Sequence, residues 1–285
     1  MPGALVPELP PTLAAQLGIG DVSLVLDRRG SMIWDVHVGA RRYALKLGHP
    51  IAETEHWPAQ PWTALAPARE AAVLDQLGRP VPSGEWERGT WNMQSWHEGP
   101  DLQHAWREVR EQGTRPDLTV ALRCARALAG LHAQGWAHGD VQPAHLILDD
   151  RTVHLIDLAL AHGKPVPGDV DFPFRGCLVH YEAPEISARI LDHGWATPTQ
   201  AGDVYALGAS LLMAATGRRV VIYPDHVDRT EQRAAIVQGN RRPVNVKGPL
   251  KLLIEQMLRH APERRPAIAH VVRTLQTLSP LRIHP

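Results

Sequence analysis

Two aspartates in this chain are placed to do chemistry. Leu131-His132-Ala133-Gln134-Gly135-Trp136-Ala137-His138-Gly139-Asp140-Val141-Gln142-Pro143 delivers Asp140 from the end of an apolar helix into a loop, and seventeen residues later Asp157 closes the apolar run Val153-His154-Leu155-Ile156. One such carboxylate can serve a hydroxyl and the other a metal, because an acid at the end of a packed apolar strand is costly unless a cation or hydrogen-bond donors meet it. A cation of another kind lies upstream. Lys46, in the alternating stretch Tyr43-Ala44-Leu45-Lys46-Leu47, is one of only four lysines, and a strand there points its ammonium into whatever cleft the sheet covers. Taken singly, Lys46 is an ordinary solvated strand residue, Glu70 a helix-surface acid, and Asp140 a cap for backbone amides. Their order along the chain is what carries meaning.

The elements that must position these residues are legible from pattern. From Val22 to Leu47 short alternating segments separated by Gly30 and the Gly39-Ala40-Arg41-Arg42 turn predict strands joined by hairpins. Pro50 to Pro67, with four prolines, reads as an irregular connection, and Ala68 to Gly78 as a helix ended by its glycine. Gly84 to Trp96 predicts two more strands. Glu98-Gly99-Pro100-Asp101-Leu102 is a turn with Asp101 as N-cap, and it marks a boundary between two lobes. Beyond it, helical spacing covers Leu118–Gln134, Ala201–Thr216, Thr230–Val237, Leu250–Arg259 and Ile268–Leu278. The expected organisation is a flexible proline-rich arm over residues 1–12, a small sheet lobe over 13–98 and a larger helical lobe over 99–285, an α+β fold.

Composition sets the outer limits. Of 285 residues 44% are hydrophobic and 21% charged, and thirty basic residues balance thirty acidic ones, so charge argues for no nucleic-acid or membrane partner. The partner expected is a small molecule or a polypeptide. Cys124 and Cys177 are too few for a disulfide framework, and no apolar run reaches the roughly 18–20 residues needed to span a bilayer. The expected compartment is the cytoplasm. Scarce lysine with abundant arginine and alanine fits a GC-rich bacterial genome.

The segment Ala121–Ala161 resembles the catalytic segment of protein kinases, "LHxxGxxHxDxxPxN" followed by an aspartate-led metal motif. Further matches follow in order: Tyr181-Glu182-Ala183-Pro184-Glu185, Asp203-Val204-Tyr205-Ala206-Leu207-Gly208, and Ala261-Pro262-Glu263-Arg264-Arg265-Pro266. The resemblance covers about residues 22 to 278 and implies a two-lobed protein-kinase-like fold, of the bacterial Ser/Thr type. It implies that Lys46, partnered by Glu70, holds nucleotide phosphates, that Asp140 orients an acceptor hydroxyl and takes its proton, and that Asp157 carries a metal. Residues Gln94 to Glu98, with Trp96 between them, become the hinge against adenine. Glu185 pairs with Arg265, and Asp203 braces the catalytic loop.

Departures from the pattern are specific. The nucleotide loop keeps one glycine, Gly30, beside Arg28 and Arg29, which would hold phosphates by charge if they are more than solvated hairpin residues. Gln142 replaces a lysine, removing positive charge from the transition state. His145 replaces a metal-holding asparagine, a nitrogen donor better tolerated by Mn2+ than by Mg2+. Gly139 replaces an arginine that reads a phosphorylated activation loop, and no threonine stands before Tyr181. The expected activity is transfer of the γ-phosphoryl of ATP, with Mg2+ or Mn2+, to a hydroxyl of serine or threonine in a protein or peptide. A pseudokinase scaffold, or a dedicated kinase for a biosynthetic peptide or small metabolite, are the alternatives.

Overall fold

The computed structural model describes residues 8–53 and 59–279. Residues 1–7 of the expected arm, and the middle of the Pro50–Pro67 connection, lie outside the described residues. Two compact units divide the rest: one runs to Trp96 and includes Pro165–Phe172, the other comprises His97–Lys164 and the residues from Pro173 on. The change of unit thus falls two residues before the expected boundary, and an eight-residue stretch far along the chain belongs to the first unit.

In the first unit, α1 (Pro11–Leu17) precedes β1 (Val22–Arg28), β2 (Ser31–Val38) and β3 (Arg41–Gly48); α2 (Ala66–Gln76) follows, then β4 (Ser83–Trp86) and β5 (Gly89–Ser95). The five strands form one antiparallel sheet in the order β1-β2-β3-β5-β4. Period-two alternation decides its faces. Met32, Trp34, Val36, Leu45, Leu47, Trp91 and Met93 bury one face, and their cross-strand pairing keeps them in register. The opposite face carries Lys46, which lies opposite Ile33 on β2 and Asn92 on β5.

Leu9 and Leu13 are buried in the same apolar cluster as Trp34 and Leu45. The expectation of a loose arm over residues 1–12 is therefore corrected for its described part. The proline-rich composition masks it: Pro11 starts α1 as a first-turn proline, and Leu9 and Leu13 are the apolar residues that helix brings to the sheet.

In the second unit, α3 (Leu102–Ala105) is capped by Asp101, whose carboxylate accepts from the His104 amide at 2.7 Å. After α4 (Arg107–Gln112) comes α5 (Leu118–His132), capped by Asp117 on the Thr119 amide. The hairpin β6 (Leu146–Leu148) and β7 (Val153–Leu155) follows, turned by Asp149, which accepts from the Arg151 and Thr152 amides. The remaining helices are α6 (Pro184–His193), α7 (Gln200–Thr216), α8 (Arg229–Gln238), α9 (Leu250–Met257) and α10 (Ile268–Leu278). α7 is buried almost all round, so it forms the axis of this unit's core. No helix among the described residues is long and apolar enough to cross a membrane.

The burial of Leu9 yields a test. Leu9→Ala is expected to lower unfolding free energy by about 2 kcal/mol through lost burial and the cavity left behind. Urea unfolding that gives the parent's midpoint would return this residue to solvent.

Candidate active site

On the polar face of the sheet, Lys46 Nζ donates to both carboxylate oxygens of Glu70, at 2.8 Å each. Both residues are buried. Glu70 also accepts from Asn92 Nδ2 at 3.1 Å, and Asn92 donates in turn to the Pro67 carbonyl, which ties β5 to the first turn of α2. Asn92 is a residue the sequence reading passed over; its position two residues before Gln94, on the same strand face, is the signal that could have found it. Gln94 donates to Asn92 Oδ1 at 3.0 Å, while Trp96 lies under the Arg42 guanidinium at 4.3 Å and Glu98 is exposed in the second unit.

The β1–β2 connection is a two-residue turn with Arg29 at φ 55° and Gly30 at φ 76°, the left-handed pair that tight hairpins need. Gly30 is buried, and the space a side chain would take is filled by the His49 carbonyl and Thr63 Oγ1, both within 2.6 Å of a built Cβ. Gly30 is therefore required by packing, whereas Arg28 and Arg29 are exposed at the strand end and the turn. Also in the first unit, Arg69, next to Glu70, is buried and bonds Asp171 at 2.9 Å, so the Pro165–Phe172 stretch holds α2.

In the second unit the loop bearing Asp140 hangs from Asp203, in the first turn of α7. Asp203 Oδ2 accepts from the His138 amide at 2.6 Å and pairs with His132 Nε2 at 2.8 Å, and Oδ1 accepts from the Gly139 amide at 2.9 Å. Gly139 has φ 79°, and a Cβ there would meet the Leu160 carbonyl at 2.6 Å. The glycine at the place of an arginine is thus a conformational requirement of this loop.

His138 joins the two acidic segments. Its Nδ1 accepts from the Asp140 amide at 3.1 Å, so Nε2 carries the proton and donates to the Ile156 carbonyl at 3.0 Å. Complete burial pushes this imidazole toward its neutral form. Asp157 follows Ile156 and takes the left-handed conformation, φ 65°, uncommon for a non-glycine residue and concentrated at functional positions. It lies beyond β7 with its side chain 38% exposed, so it is outside the packed strand in which the sequence pattern set it.

Asp140 is shaped by its surroundings. Gln142 Nε2 donates to Oδ2 at 3.0 Å, and Oδ1 is buried without a hydrogen-bond partner. Burial raises its pKa above the ordinary carboxylate range and the charge of Asp157 adds to this, against the neighbouring imidazoles and Gln142.

His145 completes the group. Its Nδ1 faces the Asp140 carbonyl at 2.9 Å and donates to it, and its Nε2 lies 3.3 Å from Asp157 Oδ2. A proton on Nε2, or a cation between Nε2 and the carboxylate, satisfies that contact. One ligand atom each from Asp140, His145 and Asp157 lies within 4.8 Å of the others. This donor set, two carboxylates and an imidazole nitrogen, fits a divalent metal, with the nitrogen favouring Mn2+ over Mg2+.

The expected Glu185–Arg265 pair is bidentate, with both bonds 2.7 Å. The other Arg265 donors go to the carbonyls of Arg259, Ala201 and His260, so all five guanidinium N–H groups are used. Sequence reasoning missed Glu182. Its fully buried carboxylate is held by Arg233 of α8, and a sequence separation of 51 leaves no local pattern to find it by.

Residues 99–275 match the protein kinase domain family. The chain belongs to the protein kinase family. It is 32% identical over 190 residues to the serine/threonine-protein kinase PkaA of Streptomyces coelicolor, covering 64% of this chain and 33% of that protein. It is similar also to a protein kinase and PP2C-like domain-containing protein of Arabidopsis thaliana, at 29% over 197 residues (56% of this chain, 29% of that protein). A third relative, phytosulfokine receptor 2 of the same plant, is 33% identical over 181 residues (56% and 17%). The chain thus spans about a third or less of the length of these relatives. The kinase domain and its serine/threonine kinase relatives support phosphotransferase chemistry, and ATP with a divalent metal is the general requirement of the domain.

The kinase domain's buried arginine gives a stability test. Arg265→Ala leaves Glu185 and three backbone carbonyls without their donor and is expected to cost about 3–5 kcal/mol, as breaking a buried pair does. Arg265→Lys, lacking the planar fork, should recover only part of it. Thermal unfolding of the alanine variant at the parent's temperature would contradict the assigned role.

Proposed function

We propose that this kinase domain transfers the γ-phosphoryl group of ATP to a serine or threonine hydroxyl of a protein or peptide. The observation that carries the reading is the convergence of Asp140, His145 and Asp157 within 4.8 Å, with the backbone just before Asp140 fixed by Asp203. Bound ATP and its metal supply the transferable phosphoryl group and the positive charge beside it. Asp157 and His145 hold the metal. Lys46, kept in place by Glu70, holds nucleotide phosphates. Gln94, Trp96 and Glu98 are assigned to the adenine side, and Arg28 and Arg29 to phosphate charge.

The acceptor hydroxyl donates its hydrogen bond to Asp140. As the hydroxyl oxygen bonds to phosphorus and the bond to the leaving ADP oxygen breaks, Asp140 takes the proton; a carboxyl whose pKa is raised by burial suits that role. Gln142 steadies the carboxylate by donating to Oδ2.

A second reading, a pseudokinase that binds nucleotide without efficient transfer, draws on Gln142 itself. A neutral amide there forgoes a transition-state charge, a change worth on the order of a hundredfold in rate. A hydroxyl on a biosynthetic peptide or small metabolite is a third acceptor class, and labelled ATP offered with each class separates them.

Two measurements test the assignment. Asp140→Asn is expected to abolish transfer of labelled phosphate while keeping the ATP-induced thermal shift, and Lys46→Ala to lose most of that shift. Transfer persisting in Asp140→Asn would remove the base from its role. In addition, His145→Asn is expected to erase a preference for Mn2+ over Mg2+ in metal-dependent thermal stabilisation, because it exchanges a nitrogen ligand for an oxygen. Identical metal preference in the two proteins eliminates His145 as a ligand.

A further inference from the structure

The segment before α6 is fastened to α8 by a buried ion pair. Glu182 has no exposed side-chain surface; Oε1 accepts from Arg233 Nε and from Ser187 Oγ, each at 2.7 Å, and Oε2 accepts from Arg233 Nη2 at 3.1 Å and the Cys177 amide at 3.3 Å. Arg233 Nη2 also donates to the Arg175 carbonyl at 3.3 Å. Gly176, φ 99°, passes directly over the pair: a Cβ there would collide with Arg233 Nη2 and Glu182 Oε2. One ion pair therefore fixes the backbone at Arg175 and Cys177 as well as the side chain of Glu182.

This segment lies beside the proposed base. Gly139, Cys177, Tyr181, Glu182 and Asp203 line one small cavity. Burial and then the Asp140 charge raise both the Cys177 thiol and the Tyr181 hydroxyl above their ordinary ranges. Between Thr152 and Ser187 the sequence contains no serine or threonine. A phosphate ester on such a residue is thus not what orders this stretch.

We propose that Glu182 and Arg233 are positioning residues for the acceptor: their pair holds residues 175–182 as a fixed platform beside Asp140, doing by a permanent buried contact what a covalent modification would otherwise have to do. This rests on the phosphotransfer reading for its functional half only. Because the carboxylate is neutralised by its arginine and screened from solvent, it presents no charge to the acceptor. It acts through the backbone it holds.

The test compares the full chain with Arg233→Lys and with the double variant Glu182→Leu/Arg233→Leu. Apolar replacement of a whole buried pair often keeps global stability, so the double variant separates folding from positioning. Hydrogen exchange across residues 175–182 is expected to quicken by about tenfold or more in the double variant, with thermal stability near the parent's, and to be intermediate in Arg233→Lys. Phosphatase treatment should leave the parent's exchange unchanged. With labelled ATP and dephosphorylated casein as acceptor, the double variant is expected to raise KM for casein by about tenfold while KM for ATP holds. Unchanged exchange in the double variant, exchange sensitive to phosphatase, or faster exchange with unchanged casein KM would each overturn the proposal. If the parent transfers nothing to casein, the protein-acceptor reading fails, and the exchange comparison still decides whether the pair orders the segment.

Discussion

The loop that carries Asp140 depends on one buried carboxylate. Asp203 accepts two consecutive backbone amides, those of His138 and Gly139, and binds the His132 ring at the end of α5. A charge this deeply buried is tolerated because donors converge on it, and those donors are in turn orphaned without it. The contact joins the end of α5, the loop and the start of α7 at one point. It also demands a conformation at residue 139 that suits glycine, since φ is positive and the Leu160 carbonyl fills the side-chain space.

From that anchor the order passes outward through His138. With its amide on Asp203, the ring is set between the Asp140 amide and the Ile156 carbonyl, and it bonds both. One neutral, fully buried imidazole thereby relates the two segments that carry the acidic residues. The Asp149 turn and the short β6–β7 hairpin bring the chain back to Ile156, and Asp157 then takes its left-handed conformation. The Lys46–Glu70–Asn92 group is built separately, from the register of β3 against β5 and the first turns of α2.

What was legible in the sequence was whatever local spacing encodes. The helix expected over Leu118–Gln134 forms over Leu118–His132, and the alternation around Lys46 gives β3. Asp101 caps its helix because capping needs only neighbouring residues. What escaped is held by contacts between distant positions: Arg69 with Asp171 across 102 residues, Glu182 with Arg233 across 51, and Leu9 on the sheet. Pattern also misread reasons. Gly139 looked like a missing arginine, though its backbone conformation and tight surroundings account for it. α6 was not among the expected helices, although Pro184 sits where a helix commonly begins.

The replacement of a lysine by Gln142 bears on Asp140 itself. A lysine would bring a full charge, lowering the carboxylate's proton affinity and stabilising the transferred phosphoryl group together. The glutamine amide bonds Oδ2 only and carries no charge, so burial and Asp157 keep the Asp140 pKa raised. The remaining oxygen, Oδ1, is buried, so desolvation acts on the carboxylate from that side. A neutral side chain at position 142 therefore leaves the Asp140 carboxylate with a higher proton affinity than a lysine there would, and brings no positive charge to the loop.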